Sequence, residues 1–136
     1  MKTLYPADAY RRYYPQLKSA LQAQPKLLFA ILYGSAAEGA PFHDLDIALY
    51  VDRAKVPVSQ DWDLTCQIAV VLADLLPFPV DVRIINEAPL LFRYNVSKGT
   101  PLIVKDQEAY FQFLEQTWDR YLDFKPVAMQ YIREMA

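Results

Sequence analysis

The stretch that decides the fold runs from residue 27 to residue 51 and reads LLFAILYGSAAEGAPFHDLDIALYV. Residues 27–33 are continuously apolar and are followed by Gly34, a pattern typical of a short strand buried on both faces. Residues 44–51 alternate, with Leu, Ile and Val on one side and Asp, Ala and Tyr on the other. Because side chains alternate across a strand, this pattern predicts a second strand with one apolar face.

Two carboxylates stand at the start of the second strand. Asp44 and Asp46 are two residues apart, so the strand period directs both to the same side at about 6.5 to 7 Å along the backbone. Neighbouring acids repel each other, and a divalent cation between them allows both to stay ionised; oxygen-only ligation is what magnesium prefers. Asp44 and Asp46 are therefore candidate magnesium ligands, although a pair of solvated aspartates at a strand end remains an open alternative.

A third acid belongs to a predicted strand over residues 80–85, VDVRII. Alternation places Asp81 and Arg83 on the same side of this strand. Three carboxylates near one point can hold two metal ions ~4 Å apart, which activate an attacking hydroxyl and neutralise a leaving pyrophosphate. Asp81 is then the candidate base for that hydroxyl, and a salt bridge with the acids is the favoured role of Arg83, ahead of a phosphate contact.

The dipeptide Gly34-Ser35 directly follows the buried strand. Glycine permits a sharp turn and a close approach to a ligand, and a serine hydroxyl beside free backbone N–H groups can bind the oxygens of an anion. Taken alone, the dipeptide fits a plain strand-to-helix turn with Ser35 as the N-cap better than it fits a binding site.

The rest of the chain completes one predicted domain over residues 1–136. Periodic apolar positions and prolines indicate the further helices and strands. The predicted segments are a helix over 7–22 kinked or split at Pro15, a helix from about Pro57 to Leu76, a short helix over 89–98, an edge strand over 102–104, and a helical region over 107–135 interrupted at Pro126. We expect the region 107–135 to pack on the sheet.

Composition narrows the functional class. With 14 basic and 16 acidic residues and a net charge of −2, the chain has no positive excess for direct nucleic-acid binding. Its longest apolar runs are far shorter than the ~20 residues that cross a bilayer, so no membrane association is expected. A single cysteine and the lack of a signal-like apolar stretch near the N-terminus favour the cytoplasm.

Three motifs together resemble a known family. The sequences Tyr33-Gly34-Ser35, DLDIAL at 44–49 and VDV at 80–82 are similar, in order and strand context, to the signature of the polymerase-beta-type nucleotidyltransferase superfamily. The small size and the segment WDRYLDFKP at 118–126 resemble the minimal nucleotidyltransferase (MNT) antitoxins encoded beside HEPN ribonuclease toxins. The resemblance implies an α+β, polymerase-beta-like fold with a small, mixed, twisted sheet flanked by helices.

The resemblance also implies a reaction, since such antitoxins transfer AMP from ATP to a tyrosine of the partner toxin. By position, Gly34 and Ser35 would hold the triphosphate. Asp44, Asp46 and Asp81 would be the catalytic residues and the Mg²⁺ ligands, with Asp81 also helping to deprotonate the acceptor. The implied partners are ATP and a cognate HEPN ribonuclease toxin.

The chain departs from that family pattern in the loop after Ser35. The loop between the glycine-serine pair and the first aspartate has eight residues, from Ala36 to His43, where ten are usual. Many relatives carry an arginine soon after the serine, whereas this chain has two alanines and then Glu38, which would repel a triphosphate if it pointed inward. The candidate replacements for the missing cation are Arg53, Lys55, Arg93 and Lys98.

Two side chains near the motifs have open roles. Tyr94 is a candidate for stacking on a nucleotide base, although packing is the favoured interpretation. His43 could contact a phosphate, but a single loop histidine is more often solvated.

Two other functions remain possible. The same fold could neutralise a toxin by contact alone, with Trp118, Tyr121 and Phe124 as the docking surface. A transferase that modifies a small molecule ranks last, because the chain is short for building its own acceptor pocket.

Overall fold

A four-stranded mixed sheet forms the centre of the computed structural model, which describes residues 2–135. The strand order is β3-β2-β1-β4; β1 is antiparallel to β2 and β4, and β2 is parallel to β3. The strands are β1 Leu27–Tyr33, β2 Leu45–Val51, β3 Val80–Ile84 and β4 Thr100–Val104. The predicted mixed sheet is confirmed, and so is the edge position of the last strand.

Four α-helices and two 3-10 turns surround the sheet. The helix expected over 7–22 begins only at Tyr14, because Pro15 occupies its first turn, where a missing backbone N–H costs nothing. The helix expected from Pro57 starts as a 3-10 turn, Val58–Gln60, and becomes α-helical at Asp61. The helices are α1 Tyr14–Gln22, α2 Asp61–Leu75, α3 Leu90–Ser97 and α4 Gln107–Met135.

Alternation along the strands builds a separate apolar core on each face of the sheet. The odd-numbered side chains of β2, such as Ile47 and Leu49, are fully buried with α1 and α2. Burial of each of these side chains contributes roughly 1.5–3 kcal/mol. The opposite face buries Phe29 and Ala48 against α3 and α4. The even-numbered Asp46 shares this second face, so the acidic residues lie on the side of α3 and α4.

The last helix differs from the expectation in two ways. Pro126 lies inside α4 without interrupting it. Of the positions expected to pack on the sheet, Phe113 is buried, but Leu122 and Ile132 are 64% and 60% exposed. The reason is length: the 29 residues of α4 extend about 44 Å, whereas a seven-residue strand spans about 23 Å. The C-terminal half of the helix therefore extends past the sheet.

No helix within residues 2–135 is both long enough and apolar enough to cross a bilayer.

Candidate active site

Gly34 directly follows β1 and has a backbone conformation that few other residues adopt. Its φ is +76°, in the left-handed region that favours glycine. A Cβ atom at this position would also collide with Oδ2 of Asp46. Glycine is therefore required at this position for two reasons: it permits the turn, and it permits the close approach of the Asp46 carboxylate on the neighbouring strand.

The loop after Gly34 forms a compact turn and not a helix, so Ser35 does not act as a helix N-cap. The amide of Glu38 donates to the carbonyls of Gly34 and Ser35, each at 3.1 Å, and the amide of Ala40 donates to Ser35 at 3.0 Å. Within residues 2–135, the N–H groups of Ser35, Ala36 and Ala37 donate to no backbone carbonyl. Consecutive free amides of this kind suit the oxygens of a phosphate.

Strand register brings two of the predicted acids together. Asp46 on β2 is the direct Cα partner of Asp81 on the parallel strand β3. On its other side, Asp46 is the partner of Tyr33 on β1. Tyr33 packs edge-on against Phe92 of α3, with ring centroids 5.6 Å apart. The two carboxylates and the tyrosine thus form one row across three strands.

Burial and the closeness of the acids raise the pKa values of two side chains in this row, Asp46 and Tyr33. Burial, then the charge of Asp81, then that of Asp44, raise the pKa of Asp46 above its usual range, while Arg83 opposes the shift. Burial, then the charges of Asp46 and Asp81, raise the pKa of Tyr33, so that its hydroxyl stays protonated at neutral pH. The row therefore carries negative charge that its own surroundings only partly offset.

Asp44 takes part less closely than Asp46 and Asp81. Its Oδ2 lies 3.5 Å from Nζ of Lys2, a side chain near the N-terminus that is 75% exposed. In residues 2–135, no group of three or more Asp, Glu, His or Cys side chains is close enough to hold a metal ion as the side chains stand. Of the three acids expected to converge, Asp46 and Asp81 therefore lie side by side, whereas Asp44 is paired with Lys2 instead.

Arg83 makes the favoured salt bridge, and His43 is exposed, as favoured, but also makes one backbone contact. Arg83 Nε donates to Oδ2 of Asp81 at 3.2 Å, which is the expected salt bridge. His43 Nδ1 donates to the carbonyl of Thr3 at 2.9 Å in an exposed loop. This contact ties the loop before β2 to the N-terminal segment.

Tyr94 is not placed to stack on a nucleotide base. Its ring stacks on Tyr121 of α4 at a centroid distance of 3.6 Å and an interplanar angle of 7°, and Lys98 Nζ lies 5.0 Å from the same ring centroid. Packing thus accounts for Tyr94. The sequence patterns did not indicate that Tyr33 lies beside Asp46 or that Lys2 pairs with Asp44, because each contact joins residues distant in sequence.

The acidic residues fit a divalent cation. Their donors are all carboxylate oxygens. Burial, then the charges of Asp81 and Asp44, raise the pKa of Asp46, and a cation would offset the charges of these neighbouring acids. The missing side chain of Gly34 leaves Oδ2 of Asp46 open to that side. Asp46 and Asp81 could hold such an ion directly, and Asp44 could join them by exchanging its contact with Lys2.

A sheet of this topology, with a glycine-serine turn facing paired strand carboxylates, defines the nucleotidyltransferase class. The family described as "Polymerase beta, Nucleotidyltransferase" matches residues 15–108. The chain belongs to this family, and the superfamily resemblance and predicted fold are confirmed. No curated protein sequence matches the chain.

Chains in solved toxin-antitoxin structures share this fold. A chain of a mutant of the toxin-antitoxin MntA-HpeT is 25% identical with a TM-score of 0.68, covering 90% of this chain and 97% of that one. A chain of tri-AMPylated Shewanella oneidensis HEPN toxin in complex with MNT antitoxin is 22% identical with a TM-score of 0.64, covering 93% and 98%. A chain of a toxin-antitoxin with AMP-PNP is 23% identical with a TM-score of 0.64, covering 92% and 98%.

Proposed function

We propose that this protein is the antitoxin of a toxin-antitoxin pair and that it transfers AMP from ATP to a tyrosine of a cognate HEPN ribonuclease toxin. One observation carries the proposal: Asp46 and Asp81 are side by side across β2 and β3, directly opposite the Gly34 turn. Family membership supports nucleotidyl transfer. Solved structures that contain a chain of this fold include a complex with a tri-AMPylated toxin and a toxin-antitoxin with AMP-PNP. We further propose that residues 1–136 act as one domain, in the cytoplasm.

In the proposed reaction, the tyrosine hydroxyl oxygen forms a bond to the α-phosphorus of ATP. The bond from that phosphorus to the bridging oxygen breaks, and pyrophosphate leaves with the electron pair. The proton of the hydroxyl passes to the Asp81 carboxylate, which Arg83 holds in place at 3.2 Å. The Gly34-Ser35 turn binds the triphosphate through its free amides.

Asp44, Asp46 and Asp81 are the residues that would hold Mg²⁺ in this scheme. A bound Mg²⁺ would supply charge neutralisation of the phosphates and a lower pKa of the acceptor hydroxyl. Tyr33 keeps its proton beside these acids and closes the row on the β1 side.

The test is transfer of label from α-labelled ATP to the purified cognate toxin. With Mg²⁺, the wild-type protein should label the toxin, and both Asp46→Asn and Asp81→Asn should stop the labelling. Asp74→Asn is the matched control, because it makes the same change of charge at an exposed position of α2. If wild-type protein leaves a folded cognate toxin unlabelled, the catalytic proposal is wrong.

Neutralisation by contact alone is the second candidate, and the C-terminal half of α4 favours it. Phe124, Val127, Tyr131 and Ile132 are exposed apolar side chains on that segment, beyond the reach of the sheet. Such a surface is typical of a protein interface. Protection of cells by the double variant Asp46→Asn/Asp81→Asn would support this candidate, and loss of protection while the variant still binds toxin would contradict it.

A further inference from the structure

A small cavity joins the Gly34 turn to the C-terminal end of α3. Its volume is about 210 Å³. It opens beside the free amides that suit a phosphate, and its lining includes one cation and one anion. The lining residues are Gly34, Ala37, Glu38, Asn95, Lys98 and Gly99.

This cavity bears on the cation that is missing from the loop after Ser35. A triphosphate carries several negative charges, and Glu38 adds another at the same place. A positive side chain is therefore needed there in addition to backbone amides. The four candidates from the sequence can now be separated by position and by contacts.

Two of the candidates lie at the wrong end of the sheet. Arg53 lies two residues after the end of β2, whereas Asp46 is near the start of that strand. The Arg53 guanidinium is held by Asp61 at 2.6 and 2.9 Å and by Glu87 at 2.6 and 2.9 Å. Lys55 Nζ donates to the carbonyl of Pro25, which precedes β1, at 3.3 Å. Neither side chain can reach the Gly34 turn.

Arg93 has a structural role. Its side chain is buried, with 8% exposure, and its guanidinium donates to the carbonyls of Ile85 and Asn86. The guanidinium also lies 5.0 Å from the ring centroid of Phe113. These contacts join α3 to the end of β3 and to α4, and they leave Lys98 as the remaining candidate.

Lys98 is brought to the site by the glycine that follows it. A Cβ atom on Gly99 would collide with the carbonyl oxygen of Leu32 and lie 2.8 Å from Cγ2 of Ile31. Only glycine allows the end of α3 to lie this close to β1. Because Leu32 is two residues before Gly34, this contact places Lys98 across the cavity from the turn.

Lys98 is also available to a ligand. It is exposed, and none of the four ion pairs found within residues 2–135 includes it. Its ammonium group rests 5.0 Å from the centroid of Tyr94, whose position is set by the stack on Tyr121. The two tyrosines thus limit the directions in which the lysine can point without neutralising its charge.

We propose that Lys98 binds the β- and γ-phosphates of ATP in place of a cation in the loop after Ser35, with the Tyr94–Tyr121 stack positioning it. This inference rests on the proposed nucleotidyltransferase function. A lysine is suited to this role, since it binds phosphate as a compact point charge.

Isothermal titration calorimetry of the full chain with ATP, ADP and AMP, each with Mg²⁺, tests the proposal. Lys98→Gln should weaken ATP binding roughly tenfold or more, ADP binding less, and AMP binding less than about twofold. Lys98→Arg, which keeps the charge, should bind ATP within about threefold of wild type. Lys125→Gln is the matched control, because Lys125 lines the neighbouring aromatic pocket but not the Gly34 cavity, and its ATP affinity should stay unchanged.

The results separate this inference from the function on which it rests. ATP binding by wild-type protein together with unchanged binding by Lys98→Gln overturns the role of Lys98 alone. An equal loss for ATP and AMP also overturns it, since that pattern indicates a general disturbance of the site. Failure of the wild-type protein to bind any of the three nucleotides overturns the proposed function as well.

Discussion

Replacement of Gly34 by alanine should separate catalysis from stability, because the chain contains a matched control. Gly34 and Gly39 both have φ of +76°. A Cβ atom on Gly34 collides with Oδ2 of Asp46, whereas a Cβ atom on Gly39 has nothing within 4 Å. Both variants therefore carry the same backbone strain, and only Gly34→Ala disturbs the acidic row.

The expected losses of stability follow from the backbone strain and from the collision with Asp46. A left-handed conformation costs an alanine about 1–2 kcal/mol, and this cost applies to both variants. Gly34→Ala must also turn the Asp46 side chain away from its rotamer, which adds about 0.5–1.5 kcal/mol. A displacement of about 1 Å at a reacting site lowers a rate roughly 100-fold. We therefore expect Gly34→Ala to lose roughly that factor in toxin labelling, and Gly39→Ala to lose less than about threefold.

Two measurements on the same preparations check this prediction: urea denaturation for the free energy of unfolding, and the initial rate of toxin labelling from α-labelled ATP. The free energies of unfolding of the two variants should differ by about 1 kcal/mol, which is less than the roughly 2.7 kcal/mol in activation free energy that a 100-fold loss of rate represents. If Gly34→Ala is folded and labels the toxin as fast as Gly39→Ala, the close approach of Gly34 and Asp46 has no part in catalysis.

Three further predictions concern single side chains. Asp46→Asn should raise the free energy of unfolding at pH 7 in chelator by about 1 kcal/mol or less, because burial and neighbouring acids raise the pKa of Asp46, so that its charged form opposes folding. Because this pKa is raised in the folded state, the stability of the wild-type protein falls as pH rises through it. The stability gained by Asp46→Asn should therefore vanish near pH 3, where the carboxyl is protonated in both states. An equal gain in stability at pH 3 would contradict the explanation. Glu38→Gln should tighten ATP binding roughly threefold in calorimetry by removing a negative charge from the phosphate cavity, with little change for AMP; unchanged ATP affinity would show that Glu38 does not face the phosphates. Arg93→Met should lower the free energy of unfolding in urea by about 2–4 kcal/mol, because it leaves the buried carbonyl of Ile85 and the partly buried carbonyl of Asn86 without their donor. A loss below about 1 kcal/mol would refute that role.

Local patterns were sufficient for most of the secondary structure. The apolar run 27–33 and the alternating run after it became β1 and β2, because the period of two is a property of the strand itself. The same alternation placed Asp46 and Asp81 on one face of the sheet. Pro126 predicts an interruption, yet α4 continues through it, since a proline signal does not show whether the helix around it continues.

The extent of packing could not be predicted from periodicity. The apolar positions of α4 repeat at helical spacing along its whole length, yet Phe113 is buried and Ile132 is exposed. Helical period shows which side of a helix is apolar, whereas burial depends on whether another element lies opposite it. The sheet ends about halfway along α4, so the apolar pattern continues without a packing partner among residues 2–135.

The sequence by itself determined the strands, the sharp turn at Gly34 and the acidic residues available to the site, because backbone preference and side-chain alternation act over a few neighbouring residues. Only the tertiary structure decided which groups meet: Asp46 with Asp81 and Tyr33 through strand register, Asp44 with Lys2, and the Gly34 cavity with Lys98 and not with Arg53 or Arg93. These pairings join residues distant along the chain, and their physical cause is strand order together with the close contact of Gly99 on β1.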